Sequence, residues 1–320
     1  MELIKLKPCF RSGYETPWGG DRLRELPGKE DAPACTGESL EVSALKGRES
    51  VAVNGKYAGL TLSRILDDSY ASVVGTDVRP FPLLLKLLDA KNTLSVQVHP
   101  GDEYALKNEG KKGKTEAWVI LAAESGARLA YGLKPGADIA EAVKNGKTEE
   151  ALNFVEPHPG DVYYIPHGCV HAMGGGIMVY EIQQSSDVTY RLYDWNRTGN
   201  DGKPRQLHIK QALEVVRPLK NVKCEGVEKA TEGGSVTSFI CDENFSLMRL
   251  NINGTMKLKF KYMAFVTPLE CCSMGCDENE LELKPFETVL VPACCKNVWV
   301  KGRLNALVST LPDIERLQVV

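Results

Sequence analysis

Gly160-Asp161-Val162-Tyr163-Tyr164-Ile165-Pro166-His167-Gly168-Cys169-Val170-His171 is the stretch on which the reading of the fold turns. Val162–Ile165 is β-branched and aromatic, which suits a strand, and Gly160-Asp161 and Pro166 punctuate its two ends. Gly168 supplies a tight turn, because glycine enters left-handed backbone conformations without the clash a Cβ would make. The next piece of structure then begins at His171. The chain thus delivers an imidazole to the mouth of a β-structure.

Outward from this stretch, most of the chain reads as short strands. Leu83–Leu88, Leu94–His99, Ala117–Leu121, Arg128–Tyr131 and Ile177–Gln183 are rich in Val, Ile, Tyr and Leu between turn residues. Apolar residues at helical spacing predict helices over Leu60–Asp68, Asp138–Phe154 and Ile209–Val216. After about residue 220 the helical patterns stop. Phe239–Ile240, Ser246–Ile252, Lys257–Phe260, Ala264–Thr267, Glu280–Leu283, Thr288–Val291, Val298–Val300 and Ala306–Leu311 predict eight strands, a sandwich or jelly-roll pattern. Lys220–Gly234 is polar and reads as a linker. The opening stretch has an internal echo: Lys284-Pro285-Phe286-Glu287-Thr288-Val289-Leu290-Val291-Pro292 repeats the order of proline, turn, acid, apolar strand, proline. Five residues past Pro292 stands Asn297, where the first copy has His171 five past Pro166. The expectation is a metal-binding catalytic domain over 1–220 and a β domain without metal over 221–320.

Composition sets the limits. A chain of 320 residues, 43% apolar and 25% charged, is an ordinary globular chain of about two domains. A net charge of −3 excludes a global basic field for nucleic acid or an anionic membrane surface. No stretch approaches the ~18 apolar residues of a membrane-spanning helix, and Met1–Gly20 lacks a signal-peptide core. A cytoplasmic protein with reduced thiols is expected, a monomer or weak homodimer. Of its ten cysteines, Cys271, Cys272, Cys276, Cys294 and Cys295 fall late. Their adjacent pairs lack the two-residue spacing of zinc knuckles, so they read as free thiols.

His171 needs partners if it is a metal ligand. Alternation along a strand puts Gln97 and His99 on one face, and Glu116 opens the following strand. Two histidines, a glutamate and a glutamine make a mixed nitrogen and oxygen set, which suits one zinc ion per chain. Lys86, inside the apolar run Pro82–Leu88, must face a site or pair with an acid, since a buried unpaired lysine is costly. Ser95 lies on the neighbouring predicted strand. Lys107, Lys111, Lys112 and Lys114 crowd one short segment that reads as a loop, a local excess of cations able to steer an anion.

The stretch from Gly160 to His171 resembles the second motif of the cupin family, with Gly175 standing where that motif ends in asparagine. A closer resemblance is to the type I mannose-6-phosphate isomerases, in their short bacterial form. Leu94-Ser95-Val96-Gln97-Val98-His99-Pro100 is similar to their LS-x-Q-x-HP motif, and Gly113-Lys114-Thr115-Glu116-Ala117-Trp118 to their G-K-x-E-x-W/M segment. His171-Ala172, Glu181, Ser186-Asp187 and Arg191 match their H-A … E-x-x-x-x-S-D-x-x-x-R signature. Pro17-Trp18-Gly19-Gly20 and Gly37–Ser43 echo their N-terminal segments, so the likeness runs from about residue 10 to 200.

The resemblance implies a mainly β fold of two cupin-like jelly-roll barrels with a few added helices. It implies zinc held by Gln97, His99, Glu116 and His171, and catalytic roles for Lys114, Glu181 and Arg191. Lys86, Ser95 and Arg197 are the further candidates for binding substrate, Arg197 standing where longer members carry a lysine. The implied activity interconverts mannose 6-phosphate and fructose 6-phosphate by proton transfer between C1 and C2 through an enediol. Glu181, His99 and a water on the metal are rival proton carriers. A different metal-dependent cupin enzyme and a non-catalytic sugar-phosphate-binding cupin are the alternatives.

Overall fold

A computed structural model describes residues 1–198, 202–218, 223–277 and 279–312. Val162–Ile165 is a strand, and it pairs antiparallel with Glu116–Ala123 so that Ile165 stands opposite Glu116. These two begin a six-stranded sheet that continues through Ile177–Gln184, Leu83–Ala90, Thr36–Val42 and Cys9–Ser12. A five-stranded sheet runs Tyr190–Tyr193, Val96–Val98, His171–Met173, Leu129–Leu133 and Leu152–Val155. The chain passes repeatedly between them, since Val162–Ile165 belongs to the first and His171–Met173 to the second. The turn at Gly168, with φ of +83°, makes that crossing, and its amide donates to the carbonyl of His99 at 2.8 Å. The proline-glycine turn therefore holds the two histidine-bearing segments together.

Among the described residues the C-terminal half forms eight strands, which lie in a third, ten-stranded sheet. The sheet takes its other two strands from the N-terminus: Ile4–Lys7 pairs with Val289–Val291 on one side and with Val51–Ala52 on the other. Tyr180, Leu85, Phe265, Leu307 and the helix Leu62–Val74 share one buried cluster that joins the six-stranded sheet to this third sheet. Each large apolar side chain fully buried there contributes about 1.5–3 kcal/mol. Tyr180 places its hydroxyl 2.8 Å from that of Ser309, which satisfies both polar groups across the seam. No helix among the described residues is long and apolar enough to cross a membrane.

The mainly β architecture agrees with the sequence expectation, while several elements differ from it. Asp138–Phe154 is not one helix. It forms two short helices, Ile139–Lys144 and Thr148–Ala151, followed by the strand Leu152–Val155. Gly146 at φ of +68° breaks the helical path, and pairing of Val155 with Leu129 recruits the remainder into the five-stranded sheet. Two expected pairs of strands are single strands of 13 residues, Ser246–Leu258 and Val298–Thr310. Gly254 and Gly302 lie opposite each other in register, so the ladder runs on where each sequence looks interrupted. The linker reading is also corrected, because Val227–Thr231 is a strand paired with Gly234–Cys241. Residues 220–222, and with them the expected domain boundary, lie outside the described residues. The lysine-rich segment is part helix, since Asp102–Glu109 precedes the loop.

Candidate active site

Register builds the site from two facing rows. In the six-stranded sheet, Lys86 stands opposite Glu181, and Glu181 opposite Trp118, three neighbours across adjacent strands. Alternation along the strand places Glu116 on the same face as Trp118. In the five-stranded sheet, Arg191 stands opposite Gln97, and Gln97 opposite His171. His99 follows directly on the Gln97 strand.

His99, Glu116 and His171 come together with ligand atoms all within 4.8 Å of one another. All three are buried, at 1% exposure or less. His99 Nδ1 lies 3.0 Å from the Val188 carbonyl, and His171 Nδ1 lies 3.0 Å from the Cys169 carbonyl. A ring nitrogen facing a carbonyl carries a proton, so each imidazole turns its other nitrogen, Nε2, toward Glu116. His171 Nε2 is 3.2 Å from Glu116 Oε1, and His99 Nε2 is 3.5 Å from Oε2. His99 Nε2 and both Glu116 oxygens find no properly directed hydrogen bond among the described residues. Burial lowers the His99 pKa well below its ordinary value, with Lys114 adding to the effect, so the ring is neutral. Burial pushes the Glu116 carboxyl up, but the charged Lys114 beside it outweighs this, and it is held well below the usual range. Two imidazoles and a carboxylate, each fixed and under-used in the interior, fit a divalent cation. Gln97 places its amide 3.2 Å from His171 Nε2, and a half-turn of that amide presents its oxygen to the same point.

Lys114 Nζ is 2.6 Å from Glu116 Oε2. Burial lowers its pKa, but Glu116 and Glu181 outweigh this and raise it, so the ammonium stays charged. Glu181 Oε1 accepts from Trp118 Nε1 at 2.9 Å, and its Oε2 lies 3.2 Å from Lys86 Nζ. Burial raises the Glu181 pKa, against the pull of Lys86. That is the environment in which a carboxylate serves as a proton acceptor near neutral pH. Lys86 also lies 3.7 Å from Glu38, which Arg11 holds through a 2.9 Å bond. The expected choice for Lys86 between an acid and the site resolves as both.

These groups border a cavity of about 930 Å³ lined by Ser95, Gln97, Lys86, Lys114, Glu181 and Arg191, among others. Among the described residues ten basic and four acidic side chains line it, a positive basin in a chain of net charge −3. Lys111 and Lys112 reach its rim while paired with Asp187 and Asp102. Arg197 is not brought to it. Its guanidinium is turned onto Asp194 and the Thr93 carbonyl, and it lies outside the lining. Sequence reasoning passed over Arg205 and Glu38, which do line the cavity. Glu38 sits two residues from Leu40, the register partner of Lys86, so strand alternation was the signal available for it. Among the described residues, which include all ten cysteines, no disulfide forms and no cysteine joins a candidate metal group.

Comparison with known proteins gives a consistent answer. The family described as "Phosphomannose isomerase type I, catalytic domain" matches residues 3–123. The chain is 36% identical over 244 residues to a mannose-6-phosphate isomerase of Streptococcus mutans, covering 76% of this chain and 77% of that protein. It is 37% identical over 262 residues to a mannose-6-phosphate isomerase of Bacillus subtilis, covering 81% and 82%. The crystal structure of the mannose 6-phosphate isomerase from Bacillus subtilis superposes with a TM-score of 0.90 at 32% identity, over 97% of this chain and 100% of that one. Variants of phosphomannose isomerase from Salmonella typhimurium share the fold at a TM-score of 0.77 and 16% identity.

Proposed function

Since this chain belongs to the type I phosphomannose isomerase family and is an isomerase, we propose that it interconverts mannose 6-phosphate and fructose 6-phosphate through an enediol. The observation that carries the reading is the buried His99–Glu116–His171 group, with both imidazoles aimed by backbone carbonyls, beside a cationic cavity. His99, Glu116 and His171, with Gln97, would hold a single zinc ion. That ion supplies stabilisation of the negative charge that develops on the sugar oxygens.

The chain's own residues do the rest. Glu181 takes the proton from one carbon of the C1–C2 pair and returns it to the other. Burial raises its affinity for that proton, and Lys86 and Trp118 fix its two oxygens. His99 turns Nδ1 to the Val188 carbonyl and Nε2 toward Glu116, so in this reading it holds the metal and does not carry the proton. Lys114 brings a charged ammonium to the floor of the cavity, and Arg191 offers a planar guanidinium at its wall. The Arg191 Nε is buried with no hydrogen-bond partner among the described residues, as expected of a group that awaits an anion. A 6-phosphate bound at the cationic wall holds C1 and C2 in place near Glu181.

The test is turnover. The purified chain is expected to convert mannose 6-phosphate to fructose 6-phosphate, to stop on chelation and to recover when zinc is restored. Absence of turnover by the metal-replete protein would overturn the proposal.

A further inference from the structure

Two guanidinium groups, those of Arg197 and Arg205, close on one carboxylate beside the cavity, and a third, Arg191, is held on the carbonyl of Gln206, the residue next to Arg205. Asp194 is 5% exposed. It accepts from Arg205 Nε at 2.8 Å and from Arg205 Nη2 at 2.6 Å, and it accepts from Arg197 as well. Arg191 lies close enough to feel both Arg205 and Asp194. Three positive charges thus lie near one negative charge that pairs with two of them, an excess of two in a partly buried place. Arg197 is used up on Asp194 and on the carbonyls of Asp194 and Thr93. Arg191 and Arg205 are the members that face the cavity.

Like charges brought together away from bulk water repel, and an anion that joins them relieves the repulsion. Burial lowers the Arg191 pKa, and Arg205 lowers it further. Arg205 spends two nitrogens on Asp194, and its Nη1 has no partner among the described residues. Arg191 spends one nitrogen on the Gln206 carbonyl at 2.8 Å. An excess of two charges with spare, forked donors matches a phosphate dianion in both charge and shape.

We propose that Arg205, side by side with Arg191, grips the phosphate of the substrate, and that Asp194 is the buried counter-charge that aims Arg205 at it. The inference rests on the functional reading above, since it assigns the phosphate subsite of the same cavity. It makes Arg205 a determinant of specificity for phosphorylated over free hexose.

The experiment uses the zinc-loaded enzyme and two variants, Arg205→Ala and Arg205→Lys. Steady-state kinetics with mannose 6-phosphate are read beside inhibition and calorimetric binding of inorganic phosphate. Arg205→Ala is expected to raise KM and weaken inorganic phosphate binding by about ten- to a hundredfold each, with a smaller change in kcat. Arg205→Lys, which keeps the charge and loses the fork, is expected to recover part of both. Unchanged KM and unchanged phosphate affinity in Arg205→Ala would overturn the assignment, as would a loss confined to kcat. If the unaltered chain turned over no mannose 6-phosphate, the functional reading would fail. Phosphate binding would then decide Arg205 alone, supporting it if weakened in the variant and overturning it if not.

Discussion

The strand Val162–Ile165 ends at Pro166, turns at Gly168 and delivers His171 to a polar interior, whereas Val289–Val291 ends at Pro292 and reaches Asn297 beside an apolar one. Around His171 stand Glu116, His99, Lys114 and Gln97. The third sheet instead packs Leu250, Met256, Met274, Val300 and Leu304 into one buried cluster. Asn297 lies at φ of +52° and donates from its amide to Asp277 at 2.8 Å. One strand-and-turn pattern therefore serves two ends. An interior filled with hydrocarbon stabilises the fold, and an interior lined with fixed imidazoles and carboxylates gives up that stabilisation for a place to do chemistry.

The comparison breaks if the apolar interior turns out to matter for chemistry or the polar one for folding. Met274→Ala tests the first. It opens a hole in a side chain at 0% exposure and is expected to cost about 2–5 kcal/mol of stability. The folded variant should keep its metal and its kcat/KM, read by metal analysis and kinetics beside a denaturant titration. Loss of metal at unchanged stability would undo the division of labour. A smaller effect is expected at the turn of the echo. Asn297→Ala places alanine in the left-handed region and removes the bond to Asp277, for about 1–2 kcal/mol. Asn297→Gly should cost less, because glycine carries no penalty there. Equal stability of Asn297→Ala and the unaltered chain in chemical unfolding would remove the argument from the turn.

How much of this was legible in the sequence depends on how local each cause is. His171 could be found because Gly160, Pro166 and Gly168 fix the path around it within a dozen residues. Gln97 and His99 could be placed on one face because strand alternation needs no partner. The union of those residues with Glu116 rests on register between strands, which no window of sequence contains; it was reached through spacing and resemblance. Leu152–Val155 was misjudged as the end of a helix because its strand exists only by pairing with Leu129–Leu133. Gly254 and Gly302 looked like breaks, since the fact that each faces the other is a tertiary one. Pairing of Ile4–Lys7 with Val289–Val291 joins segments nearly 300 residues apart and left no local sign. Arg205 was missed for a like reason. It lies in a polar stretch, and only its meeting with Asp194 and Arg191 at the cavity wall sets it apart from a solvated surface charge.

The central claim is that His99, Glu116 and His171 hold the metal on which turnover depends. The most direct test is metal content per chain and mannose 6-phosphate turnover measured together on the unaltered protein and on His171→Ala, with circular dichroism to confirm the fold. The account predicts that the variant stays folded, loses its metal and loses at least about a thousandfold in kcat/KM, the scale of several kcal/mol of lost charge stabilisation. A folded His171→Ala that keeps its metal, or that turns over substrate at a near-normal rate, would contradict it.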